Sequence, residues 1–384
     1  MRNYSFLFNF VIVMKEKVLV GMSGGIDSTA TCLLLMRQGY DVIGLTIWNH
    51  SLGMSGTDTE PAYVAEARQM AAKLGVEHYV ADEREAFDRD VAMPFARKWL
   101  DGLTPNPCVE CNPLFKFRLL LEWADRLGCR YIATGHYAGV VRDGDRFYIE
   151  QGRDSLKDQS YFLWKLGQEV LGRTLFPVGG MTKAEVREFL EANGIGFRPS
   201  KRESMEICFI ESDYREYLRE RIPDIDTVIG PGRFVDSNGV VIGQHRGYPY
   251  YTIGQRKGLN VAFGTPRYVL RTNPEKNTVM LGLPEQLETE YMLVSDLKSY
   301  KDEWMRNADL KVRIRYRSRA VSCAIMREVA GNLVLVRFGE PVSAITPGQS
   351  AVFYIGRKVA GGAVIASQRG INQYIGDYED TDIV

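Results

Sequence analysis

The sequence predicts an α/β fold, a doubly wound parallel sheet, followed by a small central domain and a C-terminal β-barrel. Three observations carry that expectation. From Lys17 to about Thr134, short apolar runs alternate with helical periodicity, the pattern of a parallel sheet covered by helices. Glycine-rich short runs fill about Asp213 to Leu287. From about Glu288 onward, short alternating runs dominate, among them KVRIRYRSRAVSCAIM, NLVLVRF and QSAVFYIG, as in a small barrel or sandwich.

The elements follow in order. Val18-Leu19-Val20 reads as a buried strand, succeeded by a glycine-rich turn and a helix from about Ser28 to Gln38. Val42 to Trp48 is a second strand. A helix follows from about Ala62 to Leu74, ended by Gly75, and then a strand at His78-Tyr79-Val80. Leu114 to Leu127 is helical, ended by Gly128, and Tyr131 to Thr134 is a further strand. The ligand crevice of such a sheet lies outside the carboxyl ends of its strands. The expected boundaries are 15–212 for the sheet domain, 213–287 for the central domain and 288–384 for the barrel. Residues 1–14 include the apolar run Leu7 to Met14 with no small-residue cleavage site after it, and are expected to be a dispensable extension.

Composition narrows the class. At roughly 150 residues per domain, a chain of 384 residues has room for two or three. The hydrophobic fraction is 45% and the charged fraction 25%, close to a soluble globular average, which excludes disorder, collagen-like repeats and membrane bundles. Lys+Arg and Asp+Glu are both 48, so a histone-like basic coat is excluded while a local basic stripe is not. Six cysteines are too few for a disulfide scaffold and fit a cytoplasmic protein. No run approaches the ~18 apolar residues of a spanning helix.

The strongest local signal is GMSGGIDS, comprising Gly21, Met22, Ser23, Gly24, Gly25, Ile26, Asp27 and Ser28. Glycines let backbone N–H groups approach an anion, and the following helix turns its positive end towards it. Ser23 and Ser28 add hydroxyl donors, and Asp27 is placed to hold Mg²⁺ or orient a pyrophosphate. The Gly-Lys-Ser/Thr ending of a Walker loop is missing.

A second segment, TPNPCVECNPLFKF from Thr104 to Phe117, has Asn112 placed to cap a helix and Pro113 to occupy its first turn. Cys111 then precedes a helix N-terminus, where its thiolate is favoured. With Cys108 it forms a C-x-x-C pair, redox-active or metal-ligating, although the second pair of a zinc ribbon is absent. A third segment, Met205 to Ile210, reads by itself as a strand with Cys208 buried in it. Basic residues at 311, 313, 315, 317 and 319 share one face if the run is extended, which suits a phosphate backbone.

These segments fall in a fixed order with ATGHYA (Ala133 to Ala138), KDQSYFL (Lys157 to Leu163), ICFI, YTIGQRKGL (Tyr251 to Leu259) and TPGQSAVFY (Thr346 to Tyr354). From Lys17 to about Ala366 the chain resembles the tRNA-specific 2-thiouridylases, a branch of the PP-loop ATP pyrophosphatases. The resemblance implies that the loop binds ATP, with Ile47 flanking the adenine and Gly135 lining the same pocket. It implies Cys111 as nucleophile and Cys208 as persulfide carrier, with Asn106, Pro107 and Cys108 against the target base. His136, Lys157, Asp158, Gln159, Arg315, Tyr316 and Gln349 match tRNA-contacting positions. The implied partners are tRNA and a cysteine desulfurase or sulfur-relay protein, and the implied enzyme is a cytoplasmic monomer using ATP with Mg²⁺. One residue departs from the family: its triplet is commonly Asn-Pro-Asp, and Cys108 replaces the aspartate. Cys108, Cys111 and Cys208 therefore leave open an iron–sulfur cluster as an alternative sulfur chemistry.

Overall fold

The structure, a computed structural model, describes residues 15–50, 60–196, 207–210, 213–261 and 264–375. The expected extension over 1–14, and Met205 and Glu206 of the third segment, lie outside the described residues. Strands β1 (Lys17–Gly21), β2 (Asp41–Trp48) and β3 (Glu77–Asp82) are joined through helices α1 (Ile26–Arg37) and α2 (Ala62–Leu74). β4 (Tyr131–Ala133) lies on the far side of β1. A hairpin, β5 (Ala138–Asp143) and β6 (Arg146–Gln151), then leaves the sheet before β7 (Thr174–Leu175) completes it. The order is β3-β2-β1-β4-β7, and every pairing is parallel. The chain reverses direction across the sheet between β1 and β4, the switch point where an open α/β sheet leaves a crevice.

Burial on both faces explains why β1 reads as a continuous apolar run. Leu19 packs with Ile43, Leu120 and Ile132 on one face. Val18 and Val20 pack with Cys32 and Leu35 on the other. Gly75 ends α2 in the left-handed region, φ 68°, where a side chain would be strained.

The central segment forms a four-stranded sheet of β8 (Gly232–Val235), β9 (Val241–His245), β10 (Tyr268–Asn273) and β11 (Thr278–Gly282), in the order β10-β11-β8-β9. The last segment contributes β12 (Glu288–Ser299), β13 (Lys311–Arg313), β14 (Val321–Glu328), β15 (Leu333–Ser343), β16 (Ser350–Ile355) and β17 (Lys358–Ile365). These run β12-β15-β14-β13-β16-β17, and pairing of β12 with β17 closes the barrel. The β5–β6 hairpin joins this barrel through the pairing of Lys358 with Glu150. A piece of chain inside the sheet domain's sequence thus belongs structurally to the barrel.

The expected basic strand face does not exist. β13 stops at Arg313, and the chain turns over Arg315–Ser318, where the Ser318 N–H and Oγ donate to the Arg315 carbonyl at 3.1 and 2.9 Å. Arg313 points inward, and its Nη1 donates to Asp158 Oδ2 at 2.9 Å. Arg319 pairs with Glu340. Alternation fails because a buried carboxylate claims one arginine and a tight turn redirects those after it.

The Asp158–Arg313 pair fastens the barrel to the sheet domain. The Asp158 side chain is 2% exposed and also accepts from the Gly152 and Ser160 N–H groups at 3.0 and 3.1 Å. Breaking such a pair strands the remaining buried charge, at about 3–5 kcal/mol. Arg313→Leu should therefore lower unfolding free energy by about 3 kcal/mol in urea titrations, and adding Asp158→Asn should restore part of the loss. A double variant no more stable than Arg313→Leu would remove the pair as the cause.

Candidate active site

The glycine-rich loop sits at the switch point. The Met22 N–H donates to the Leu45 carbonyl at 2.8 Å, and the Thr46 hydroxyl donates to the Met22 carbonyl at 3.0 Å, tying the loop's start to β2. Gly24 has φ 69°, and a Cβ there would meet the Ala67 backbone of α2 at 2.7 Å. Only glycine allows that turn and that approach. Gly25 caps α1 without a side-chain partner. The Ser28 hydroxyl donates to the Gly25 carbonyl at 3.2 Å and lies 3.3 Å from Ser23 Oγ, so both hydroxyls line the loop.

Gly135, just past β4, presses on the same place. A Cβ on it would meet Asp27 and the Ser28 nitrogen at 2.8 to 2.9 Å. Ile47, at the carboxyl end of β2, packs against the apolar clusters on both sides. Asp27 is already engaged: Lys183 Nζ donates to both its oxygens at 2.9 Å, and Tyr137 Oη donates to Oδ1 at 2.7 Å. An ammonium thus occupies the carboxylate expected to hold Mg²⁺ or orient a pyrophosphate. Lys183 went unrecognised in the sequence, although its setting was readable. Thr182 and Glu185 form a reciprocal capping box, the T-x-x-E signature, and Lys183 is the first helical residue after the Thr182 cap.

The cysteine segment corrects a second expectation. Asn106, not Asn112, precedes the helix, and Pro107 occupies its first position. The helix runs through Pro107–Cys111, widens into a π-turn over Asn112–Lys116 and continues as Phe117–Arg126. This segment contains two Asn-Pro steps. The second is absorbed by the π-turn, which relieves the clash a proline ring makes with the preceding turn. Asn112 is 2% exposed, and its Nδ2 donates to the Phe162 carbonyl at 3.0 Å. Glu110 accepts from Lys165 Nζ at 2.7 Å, holding the helix from the other side.

Cys111 therefore lies inside a helix, and its thiolate is not favoured. Burial pushes its pKa up to about 11, opposed by the Lys116 ammonium and by the Lys116 backbone N–H. Burial also raises Cys108, again opposed by Lys116. Burial and then Lys116 drive His136 well below its usual value, so it is neutral near pH 7. Its Nδ1 lies 2.7 Å from Thr134 Oγ1. One ammonium thus acts on the cysteine helix and on the loop following β4.

Cys208 sits in a turn, not the strand expected, with the Ile210 N–H donating to the Ile207 carbonyl at 3.0 Å. Phe209 anchors that turn in a cluster with Phe87, Phe95 and Tyr217, ring centroids 5.3 to 5.5 Å apart. The anchor leaves Cys208 exposed. Crowding nevertheless raises its thiol, by lost solvation first and then by the neighbouring Cys108 and Cys111. The six cysteines are all free thiols. Among the described residues no three His, Cys, Asp or Glu side chains converge to hold a metal ion, so Cys108, Cys111 and Cys208 do not present an iron–sulfur ligand set.

The remaining residues gather where the barrel meets the sheet domain. Gln349 Nε2 donates to the Thr104 carbonyl at 2.8 Å. The Gln159 side chain accepts from the Tyr137 N–H at 2.9 Å. Tyr316 packs on Phe162 at 4.4 Å, and Arg315 Nη2 donates to the Ser343 carbonyl at 3.2 Å. The Lys157 N–H donates to the Asp154 carbonyl at 3.1 Å. Asp158 lies beneath them, buried.

A glycine-rich phosphate loop at the switch point of a parallel sheet defines the class, a nucleotide-binding PP-loop protein. Family models match three consecutive stretches: a "tRNA methyl transferase HUP domain" over residues 16–212, a PRC-barrel domain over 215–283 and an aminomethyltransferase β-barrel domain over 289–365. The "tRNA-specific 2-thiouridylase MnmA 3" of Bacteroides fragilis is 55% identical over 369 residues, covering 95% of this chain and 98% of its own. The 2-thiouridylase of Heliobacterium modesticaldum is 46% identical, covering 92% and 93%. This chain belongs to the tRNA-specific 2-thiouridylase family. Among solved structures, a 4-thiouridine synthetase–RNA complex with bound ATP matches 56% of this chain and 52% of its own at 18% identity, with TM-score 0.32.

The Cys111 environment is directly testable. Only the thiolate is alkylated, so with a pKa near 11 iodoacetamide modification of Cys111 should rise about tenfold per pH unit below that value. Lys116→Gln removes a positive charge that favours the thiolate, so the midpoint should move up and the rate at pH 8 should fall. Lys116→Arg should restore it. Unchanged rates in Lys116→Gln would show that this ammonium does not govern the thiol.

Proposed function

We propose that the chain is an ATP-dependent tRNA sulfurtransferase that converts the wobble uridine to 2-thiouridine through an adenylated base and a persulfide. The observation that carries this reading is the pairing of an intact phosphate loop with two cysteine segments on one apolar cluster, Cys111 on its helix and the turn that exposes Cys208. MgATP enters as substrate, its phosphates against the Gly21–Ser28 backbone and the α1 N-terminus. Ile47 and Gly135 frame the adenine. Lys183, held ready by Asp27, adds positive charge beside the phosphates.

The uridine is unstacked to enter the site and rests against Asn106, Pro107 and Cys108. Its C2 oxygen attacks the α-phosphate and pyrophosphate leaves. A cysteine desulfurase or relay protein charges Cys208 as a persulfide. The Cys111 thiolate attacks the Cys208 Sγ, hydrosulfide is freed, and its attack on C2 expels AMP. A Cys111–Cys208 disulfide remains. His136, Lys157, Gln159, Arg315, Tyr316 and Gln349 face the tRNA, and Asp158 supports them from below. No helix among the described residues is long and apolar enough to cross a membrane, and we assign the enzyme to the cytoplasm as a monomer.

The deciding experiment measures AMP from ATP with bulk tRNA, with and without a persulfide donor. AMP should accumulate only when tRNA is present, and 2-thiouridine only with the donor. AMP release independent of tRNA would overturn the reading. Lys183→Ala and Ser28→Ala should each lower pyrophosphate release by at least ~100-fold, the scale of a lost preorganised electrostatic contact. Near-normal release in both would take ATP activation out of the mechanism. Cys111→Ser and Cys208→Ser should each abolish thiolation. Arg315→Ala should make the slope of log affinity for tRNA against log salt shallower by about one; an unaltered slope would place this arginine off the phosphate backbone.

A further inference from the structure

Cys108 has no part in the sulfur steps above, yet it shares one helical turn with Cys111. Residues three apart on a helix are surface neighbours, with Cβ atoms roughly 5–6 Å apart. A disulfide needs about 3.5–4.5 Å, so a small rotation at the start of this helix closes the gap. Asn106 makes no side-chain cap hydrogen bond there, and the π-turn beginning at Asn112 already relaxes the regular ladder. The turn carrying Cys208 packs on the same apolar cluster as Cys111, through Ile207, Phe209 and Ile210, and the charges of Cys108 and Cys111 raise its thiol. Cys111 thus neighbours Cys108 along the helix and the Cys208 turn across the apolar cluster, and the Lys116 ammonium favours the thiolate of each.

We propose that Cys108 is a resolving cysteine, which takes over the disulfide left by sulfur transfer and returns Cys208 to service. The step rests on the persulfide reading. The Cys108 thiolate attacks Sγ of Cys111 in the Cys111–Cys208 disulfide. The Cys108–Cys111 bond forms, the Cys111–Cys208 bond breaks, and Cys208 leaves as a thiolate that takes up a proton. Cys108 is oxidised, Cys208 is reduced, and no external electrons are needed. Cys208 is then ready for another persulfide, while an external dithiol reductant opens the Cys108–Cys111 bridge in two-electron exchange. Thiolate attack on a disulfide is ordinary exchange chemistry, and a C-x-x-C pair is a short loop whose closure costs little chain entropy.

The test maps disulfides after one turnover. Enzyme charged with persulfide on Cys208 is mixed anaerobically with MgATP and tRNA, without reductant. It is then quenched in acid, alkylated and digested, and linkages are counted per 2-thiouridine formed. The parent should carry Cys108–Cys111 bridges and an alkylated Cys208. Cys108→Ser and Cys108→Asp should instead retain Cys111–Cys208 bridges, one per 2-thiouridine, and refuse a second persulfide. A parent holding Cys111–Cys208 with Cys108 alkylated would overturn the proposal while leaving the persulfide reading intact. If 2-thiouridine forms with no disulfide in any of the three proteins, the persulfide reading fails and the resolving step with it.

Discussion

Thr104 is held by the barrel at both of its backbone groups. Its N–H donates to the Pro347 carbonyl at 2.8 Å, and its carbonyl accepts from Gln349 Nε2 at 2.8 Å. The contact is so close that a Cβ on Gly348 would lie 3.0 Å from the Thr104 nitrogen. Three residues later, at Pro107, the chain enters the helix that carries Cys108 and Cys111, so this clamp sets where the helix begins. Glu110–Lys165 and Asn112–Phe162 hold the same helix against the segment that follows β6. The helix carrying Cys108 and Cys111 is therefore positioned by the barrel and the sheet domain together, and the buried Asp158–Arg313 pair keeps those two parts in register.

Electrostatics follow from that packing. Enclosing Cys111 and Cys108 removes solvent and disfavours their charged forms, while Lys116 works against the loss. Both thiols are thereby held largely in the protonated form, the less nucleophilic one. At the phosphate loop the logic is different. There Lys183 donates to both oxygens of Asp27, so the positive charge nearest the loop is already paired.

The sheet domain was largely readable in the sequence because its signals are local. Apolar runs of strand length, Gly75 after a periodic segment, and glycines between β1 and α1 each specify their own neighbourhood. The misreadings have a common origin in contacts distant along the chain. Two Asn-Pro steps offer equivalent caps, and nothing local says that the second lies inside a helix. The basic run alternates as a strand would, yet Asp158 claims Arg313 from 155 residues away. Cys208 reads as a core cysteine, but it is the next residue, Phe209, that enters the aromatic cluster.

Residue order by itself determined the parallel sheet, the phosphate loop and the barrel, since each rests on periodicity, turn chemistry or a compact motif. Tertiary structure alone decided which Asn-Pro begins the helix, that Lys183 occupies Asp27, that the β5–β6 hairpin joins the barrel, and that three thiols share one ammonium. Those outcomes depend on burial and charge pairing between segments far apart in the chain. Desolvation and Coulomb attraction act through space, and one-dimensional spacing carries no record of them.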